Sequence, residues 1–178
     1  MRKQKGFSLI ELLIVVAIIL IIAAIAIPNL MRAKMAANTS SAAASERSII
    51  TGEVAYFAAF PTIGYTATLL PLGGAIGQPC VPSSATACLI DSNLANNGTP
   101  VNSGKSGFTF AEAGTNNGVG NPVLNQFYTT ATALALTTGT TAYCAIDDGV
   151  VRTVAAGTAA NVAVASYVAC QALNPMAN

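Results

Sequence analysis

From Leu12 to Ile27 the chain runs through sixteen consecutive apolar residues, and Phe7, Leu9 and Ile10 extend the stretch to about twenty. A helix needs roughly that many to cross the hydrocarbon core of a bilayer. Arg2, Lys3 and Lys5 precede the run and few cations follow it, so the positive-inside rule places the N-terminus in the cytoplasm and everything beyond about residue 30 outside it. The four cysteines, Cys80, Cys88, Cys144 and Cys170, all lie on that outer side. An even number there reads as a disulfide framework, and the CxxC spacing of zinc or redox sites is absent. Of the three connectivities, Cys80–Cys88 with Cys144–Cys170 is favoured; free thiols or another pairing are the alternatives.

One residue does not fit a plain membrane anchor. Glu11 stands inside the apolar stretch, where a carboxylate costs about 2.5–3.5 kcal/mol at mid-bilayer and less near an interface. Residues 7–15 contain no cation to pair with it. Cleavage after Gly6 would create one, the α-amino group of Phe7, one helical turn away in the same chain or close by in a neighbouring chain. A cleavable secretory signal is the rival reading. The run is long for its apolar core, and the formal Ala24-x-Ala26 site lacks polar, turn-forming flanks.

The basic leader ending in Gly6, followed by Phe7-Ser8-Leu9-Ile10-Glu11-Leu12-Leu13-Ile14-Val15, resembles the class III signal of type IV prepilins and the related pseudopilins. The resemblance covers residues 1–30. It implies cleavage between Gly6 and Phe7 by a prepilin peptidase, N-methylation of Phe7, and pairing of Glu11 with the Phe7 amine of a neighbouring subunit during filament assembly. Pro28 matches a position where the family's helix loosens within the filament. Further partners it implies are the membrane before assembly, the inner-membrane assembly platform and other copies of the chain. Glu11 would act as a register device, since a subunit at the wrong axial height would strand its carboxylate among apolar helices.

The helical pattern continues past Pro28. Residues 29–60 are Ala-rich, with Ile50, Val54 and Phe57 expected on one face and Arg32, Lys34, Glu46, Arg47 and Glu53 mostly off it. Pro61 stops it. A helix over residues 7–59 would be near 80 Å long, more than a small head can cover. The expectation is a cleaved leader at 1–6, a helix at 7–60 divided into a membrane and polymerisation half (7–30) and a head-packed half (31–60), and a head at 61–178. The fold class is α+β: a long protruding helix packed against a small antiparallel sheet.

In the head, residues 61–80 read as a loop and 87–97 as a short helix or turn. SGFTFAEAG and NPVLNQFYTTATALAL read as strands, and TTAYCAIDDGVVRTV as a hairpin turning at Asp148-Gly149. NVAVASYVAC stays open between strand and helix. YTATLLPLGG, the Cys80–Cys88 loop, GKSGFTF and AIDDGVVR are similar to pieces of the heads of short-leader bacterial pilins. The Thr/Ala/Gly-rich stretch Thr129–Ala142 and the tail from Ala155 fit no such pattern.

The composition argues against catalysis. The chain contains no His, so a conventional triad and the commonest metal ligand are missing. Asp147 and Asp148 are the one adjacent acid pair. They read as turn chemistry, with a calcium site as the weaker option. No cofactor is implied. Without the first six residues, five basic side chains would face seven acidic ones, a charge of −2 that suits no nucleic-acid surface. The reading is a type IV pilus subunit serving adhesion, motility or DNA uptake, located first in the inner membrane and then in an extracellular filament. A type II secretion pseudopilin is the alternative, and a membrane-anchored periplasmic binding domain the remote one.

Overall fold

The structure, a computed structural model, describes residues 7–116, 118, 122–154 and 163–176. One long helix, α1 (Leu9–Ala59, 51 residues), is followed by two single turns, α2 (Leu70–Gly73) and α3 (Ser92–Ala95). Four strands come next, β1 (Phe108–Thr115), β2 (Gln126–Ala133), β3 (Ala142–Ile146) and β4 (Val151–Val154), and then a short helix α4 (Tyr167–Gln171). The class is α+β. The chain divides into two compact units, residues 1–34 and residues 35–178.

In the first unit every described side chain is exposed except half-buried Ala23. In the second, α1 buries Ala42, Ala43, Ser45, Glu46, Ile49, Ile50, Gly52, Glu53 and Tyr56. This face differs from the sequence expectation. Val54 is 52% exposed and Phe57 only partly covered, whereas Glu46 and Glu53 are fully buried. Both acids are accepted because hydroxyls meet them: Thr129 Oγ1 donates to Glu46 Oε2, and the Thr66 N–H and hydroxyl donate to Glu53. Four of the other buried residues, Ala42, Ala43, Ser45 and Gly52, are small. A Cβ on Gly52 would lie 2.9 Å from Ile90 Cγ2, so the glycine lets the segment before α3 rest directly on the helix.

The sheet is an antiparallel meander in the order β1-β2-β3-β4. Its register runs from Phe108↔Ala133 to Thr115↔Gln126, from Tyr128↔Ile146 to Ala131↔Tyr143, and from Ala142↔Val154 to Ala145↔Val151. Alternation along the strands sorts the two faces. Phe108, Phe110, Phe127, Ala131, Tyr143, Ala145 and Val151 join the α1 residues in the main core. Cys144 and Ile146 point to the other face, where Cys170, Tyr128, Val164, Tyr167 and Leu173 cover them. All five β3 residues are therefore buried. The β3–β4 turn uses Gly149 at φ 76°, with its N–H donating to Ile146 O at 3.0 Å.

Several loops hold more order than their composition announces. Within the expected 61–80 loop, Pro71 lies in the first turn of α2, where its missing N–H costs nothing, and Leu72 is fully buried. The undecided segment near the C-terminus becomes α4, capped by Ser166 Oγ accepting from the Ala169 N–H at 3.2 Å; residues 161–162 of that segment lie outside the described residues. The stretch Thr129–Ala142, unlike the pilin heads, opens with the last five residues of the interior strand β2, within the segment read as a strand. Beyond α4 the chain adds to the outer edge of β4, through Thr153 N–H to Asn174 O (3.1 Å) and Met176 N–H to Val151 O (2.9 Å).

Candidate assembly segment

Ser8 precedes the helix. Its carbonyl accepts from the Leu12 N–H at 3.3 Å, and its own N–H donates to Glu11 Oε2 at 3.0 Å. That second bond is one half of a capping box, the device by which an acid at the third helical position satisfies a donor that the first turn leaves unpaired. The Ser8-x-x-Glu11 spacing carries this signal in the sequence, beside the absence of a nearby cation. Glu11 thus has a backbone partner in its own chain. Among the described residues no Lys or Arg pairs with it.

Phe7 is 83% exposed, and Gly6, the other half of the expected processing site, lies outside the described residues. Leu9, Ile10, Leu12, Leu13 and the Ile/Leu/Val side chains up to Ile27 are all exposed. This is the one helix among the described residues long and apolar enough to cross a membrane. Pro28 sits within α1, which is helical on both sides of it. Proline has no N–H, so the carbonyl of Ala24 goes without its usual partner.

The head residues singled out in the sequence have other partners. Cys80 is bonded to Cys88 and Cys144 to Cys170. The first bridge closes a loop that Tyr56 fastens to α1, its hydroxyl donating to Ser84 O at 2.7 Å. The second fixes the α4 segment to the sheet. Asp147 and Asp148 diverge: Asp147 Oδ1 accepts from the Tyr167 hydroxyl at 2.6 Å, while Asp148 receives the Arg152 guanidinium on both oxygens and the Val150 N–H at 2.9 Å. Arg152 holds the Asp148 carboxyl below its ordinary range, and burial followed by Asp147 pushes the Tyr167 hydroxyl up to about 12. The two carboxylates, read in the sequence as turn chemistry or a calcium site, thus have separate partners. The described residues contain no group of three or more acidic, His or Cys side chains placed to hold a metal.

An open cleft of about 320 Å³ lies beside α2, α3 and β1, lined in part by Thr68, Asn96, Asn97 and Glu112. Its amides already hold the fold together. Asn96 Nδ2 donates to Gly74 O at 2.7 Å, and Asn97 Oδ1 accepts from the Phe110 N–H at 2.8 Å.

The family described as the prokaryotic N-terminal methylation motif matches residues 1–27. Over 38 residues the chain is 66% identical to the type IV wide pilus major component PilA4 of Thermus thermophilus, covering 21% of this chain and 29% of that protein. Over 55 residues it is 44% identical to the type IV major pilin protein PilA of Myxococcus xanthus, covering 31% of this chain and 25% of that one. The chain therefore spans less than a third of the length of either curated relative. No solved structure matches it significantly.

Proposed function

With an N-terminal segment of the type IV pilin family, we propose that this chain is the structural subunit of a type IV pilus rather than an enzyme. It is made as a prepilin, cut between Gly6 and Phe7 by a prepilin peptidase and N-methylated on Phe7. It is held in the inner membrane with its N-terminus in the cytoplasm and its head outside. From there the assembly platform passes it into a filament that serves adhesion, motility or DNA uptake.

The observation that carries this reading is the first unit: a helix exposed and apolar on every side, with a single acid in its first turn. Such a surface is stable only in lipid or against other apolar helices. Exchanging the first surrounding for the second is what polymerisation requires.

Intact-mass measurement and N-terminal sequencing of filaments sheared from cells test the reading. The expected product starts at N-methyl-Phe7 and is abundant in the sheared fraction. The same mature chain confined to the inner membrane would support a pseudopilus instead, and a chain still starting at Met1 would refute processing. Glu11 has two separable roles here, because a glutamine at the third helical position also completes a capping box. Glu11→Gln keeps the cap and removes the charge that would meet a neighbour's Phe7 amine. Stranding that amine among apolar helices costs on the order of 3 kcal/mol, so filament yield should fall more than tenfold while insertion into the membrane is unchanged. Normal filament yield from Glu11→Gln would reduce the residue to a helix cap.

A further inference from the structure

We infer that the packing of α1 on the sheet encloses a proton-holding site, built from Glu46, Glu53 and Glu112, which makes the head tighter in acid than in alkali. The first ground is a count of hydrogens. Thr66 Oγ1 carries one hydrogen, yet three acceptors surround it: Glu53 Oε1 at 2.5 Å, Thr68 O at 2.8 Å and Glu112 Oε1 at 3.2 Å. The Thr66 N–H is already given to Glu53 Oε2 at 3.0 Å. Glu53 Oε1 and Glu112 Oε1 thus converge on one hydroxyl group. Two carboxylates that share a site disfavour each other's charge, so a proton on one of them relieves the repulsion.

The second ground is what is left over. Glu46 Oε1 and Glu112 Oε2 are buried without a hydrogen-bond partner. An ionised carboxylate has no hydrogen to give and about four lone pairs to satisfy, so charge at either place would be poorly compensated. Strand register brings the parts together: Glu112 of β1 is the cross-strand partner of Thr129 in β2, and Thr129 donates to Glu46 on α1.

Among the described residues no cation pairs with the cluster. Besides the three acids, α1 presents Tyr56 and exposed Arg47, the loop after it Tyr65 and Thr66, β2 Thr129, and β3 Tyr143. Arg47 acts on Tyr143, Glu53 acts on Tyr56 and Tyr65, and Asp147 adds negative potential at Tyr65. The ion pairs of the described residues, Lys105–Asp91 and Arg152–Asp148, do not involve the cluster. Burial pushes Glu46 up to about 8 against the hydrogen bond from Thr129, and burial with Glu53 beside it pushes Glu112 well above the ordinary carboxylate range.

Both groups are raised in the folded chain. The stabilisation from Glu46 is therefore complete below the unfolded value near 4.5, declines as pH rises, and is gone once pH passes about 8, and Glu112 changes stability in the same direction. The test is thermal unfolding of the full chain in nonionic detergent micelles from about pH 5 to pH 9, followed by near-UV circular dichroism. The wild type should lose on the order of 10 °C in melting temperature across that range. Glu46→Gln with Glu112→Gln should be nearly flat and should melt above the wild type at the alkaline end.

A wild-type melting temperature that stays level or rises with pH would overturn the inference. So would millimolar calcium restoring the wild type, but not the double variant, at high pH, because the cluster would then be a cation site. Infrared spectra of the unaltered chain give a readout independent of how the variants fold. A protonated-carboxyl band should persist at neutral pH, where exposed acids are ionised, and weaken as pH passes about 8. Absence of that band at neutral pH would also overturn the inference.

Discussion

The two disulfides allow a prediction of order as well as size. Cys144 and Cys170 are 26 residues apart, Cys80 and Cys88 only 8. A cross-link removes loop-closure entropy from the unfolded chain, by a constant plus an amount that grows with the logarithm of the loop. At 25 °C that amounts to about 3.5 kcal/mol for the long loop and about 2.5 kcal/mol for the short one. Burial widens the gap. Cys144 and Cys170 are both fully buried beside Ile146, so replacing them with alanine also empties volume behind the sheet, worth roughly another 1 kcal/mol. Replacing the partly exposed Cys80 and Cys88 leaves no comparable void. Urea unfolding of the full chain in micelles, with Cys144→Ala/Cys170→Ala compared against Cys80→Ala/Cys88→Ala, should rank the first pair as the costlier by about 2 kcal/mol. Mild reductant with alkylation and mass analysis should open Cys80–Cys88 first. If the short loop proves as costly as the long one, or if complete reduction leaves the midpoint unmoved, the entropy argument fails for this head.

Two substitutions probe the main core. A Cβ on Gly139 would stand 2.4 Å from Cζ and 2.8 Å from Cε2 of the fully buried Phe108, so Gly139→Ala should lower stability by about 1–3 kcal/mol, read as a fall in melting temperature. Phe127 is fully buried, with its ring 4.7 Å from that of Tyr65, and Phe127→Ala should cost about 3–5 kcal/mol in urea unfolding; a loss under 1 kcal/mol would mean the core can collapse onto the site.

What the sequence disclosed depended on how far apart the deciding residues lie. The span of α1 was legible because sixteen apolar residues and a terminating proline are local facts. Strand β1 and the β3–β4 hairpin were legible through the alternation of Phe108 with Phe110 and through Asp148-Gly149. The strand read through NPVLNQFYTTATALAL stops at Ala133, although LALT continues the alternating look. Ala135 and Thr138 close a turn there, with Thr138 N–H donating to Ala135 O at 2.9 Å, and Leu134 and Leu136 are left exposed. α4 is set by Ser166 at its start and by a bridge to a residue 26 positions earlier, and composition carries only the first of these.

The buried face of α1 was the largest error, and its cause is physical. A periodicity rule assigns acids to the water side because an isolated buried carboxylate is prohibitive. The groups that lift the prohibition here come from elsewhere in the chain: Thr129 is 83 residues from Glu46, and Thr66 is 13 from Glu53 and 46 from Glu112. No window along α1 contains them. The two parts of the helix thus obey different rules. From Leu9 to Ile27 nearly every side chain is exposed and all but one are apolar, so composition alone decides their behaviour, and the one exception, Glu11, stands out at once. From Met35 onward each position is judged by what the folded head sets against it. An acid can then belong to the core provided that the chain holds its proton or gives it a hydroxyl. Glu11 and Glu46 are the same side chain on one helix. The first must find its partner at the end of the helix or in another molecule, and the second has its partner already in the sheet.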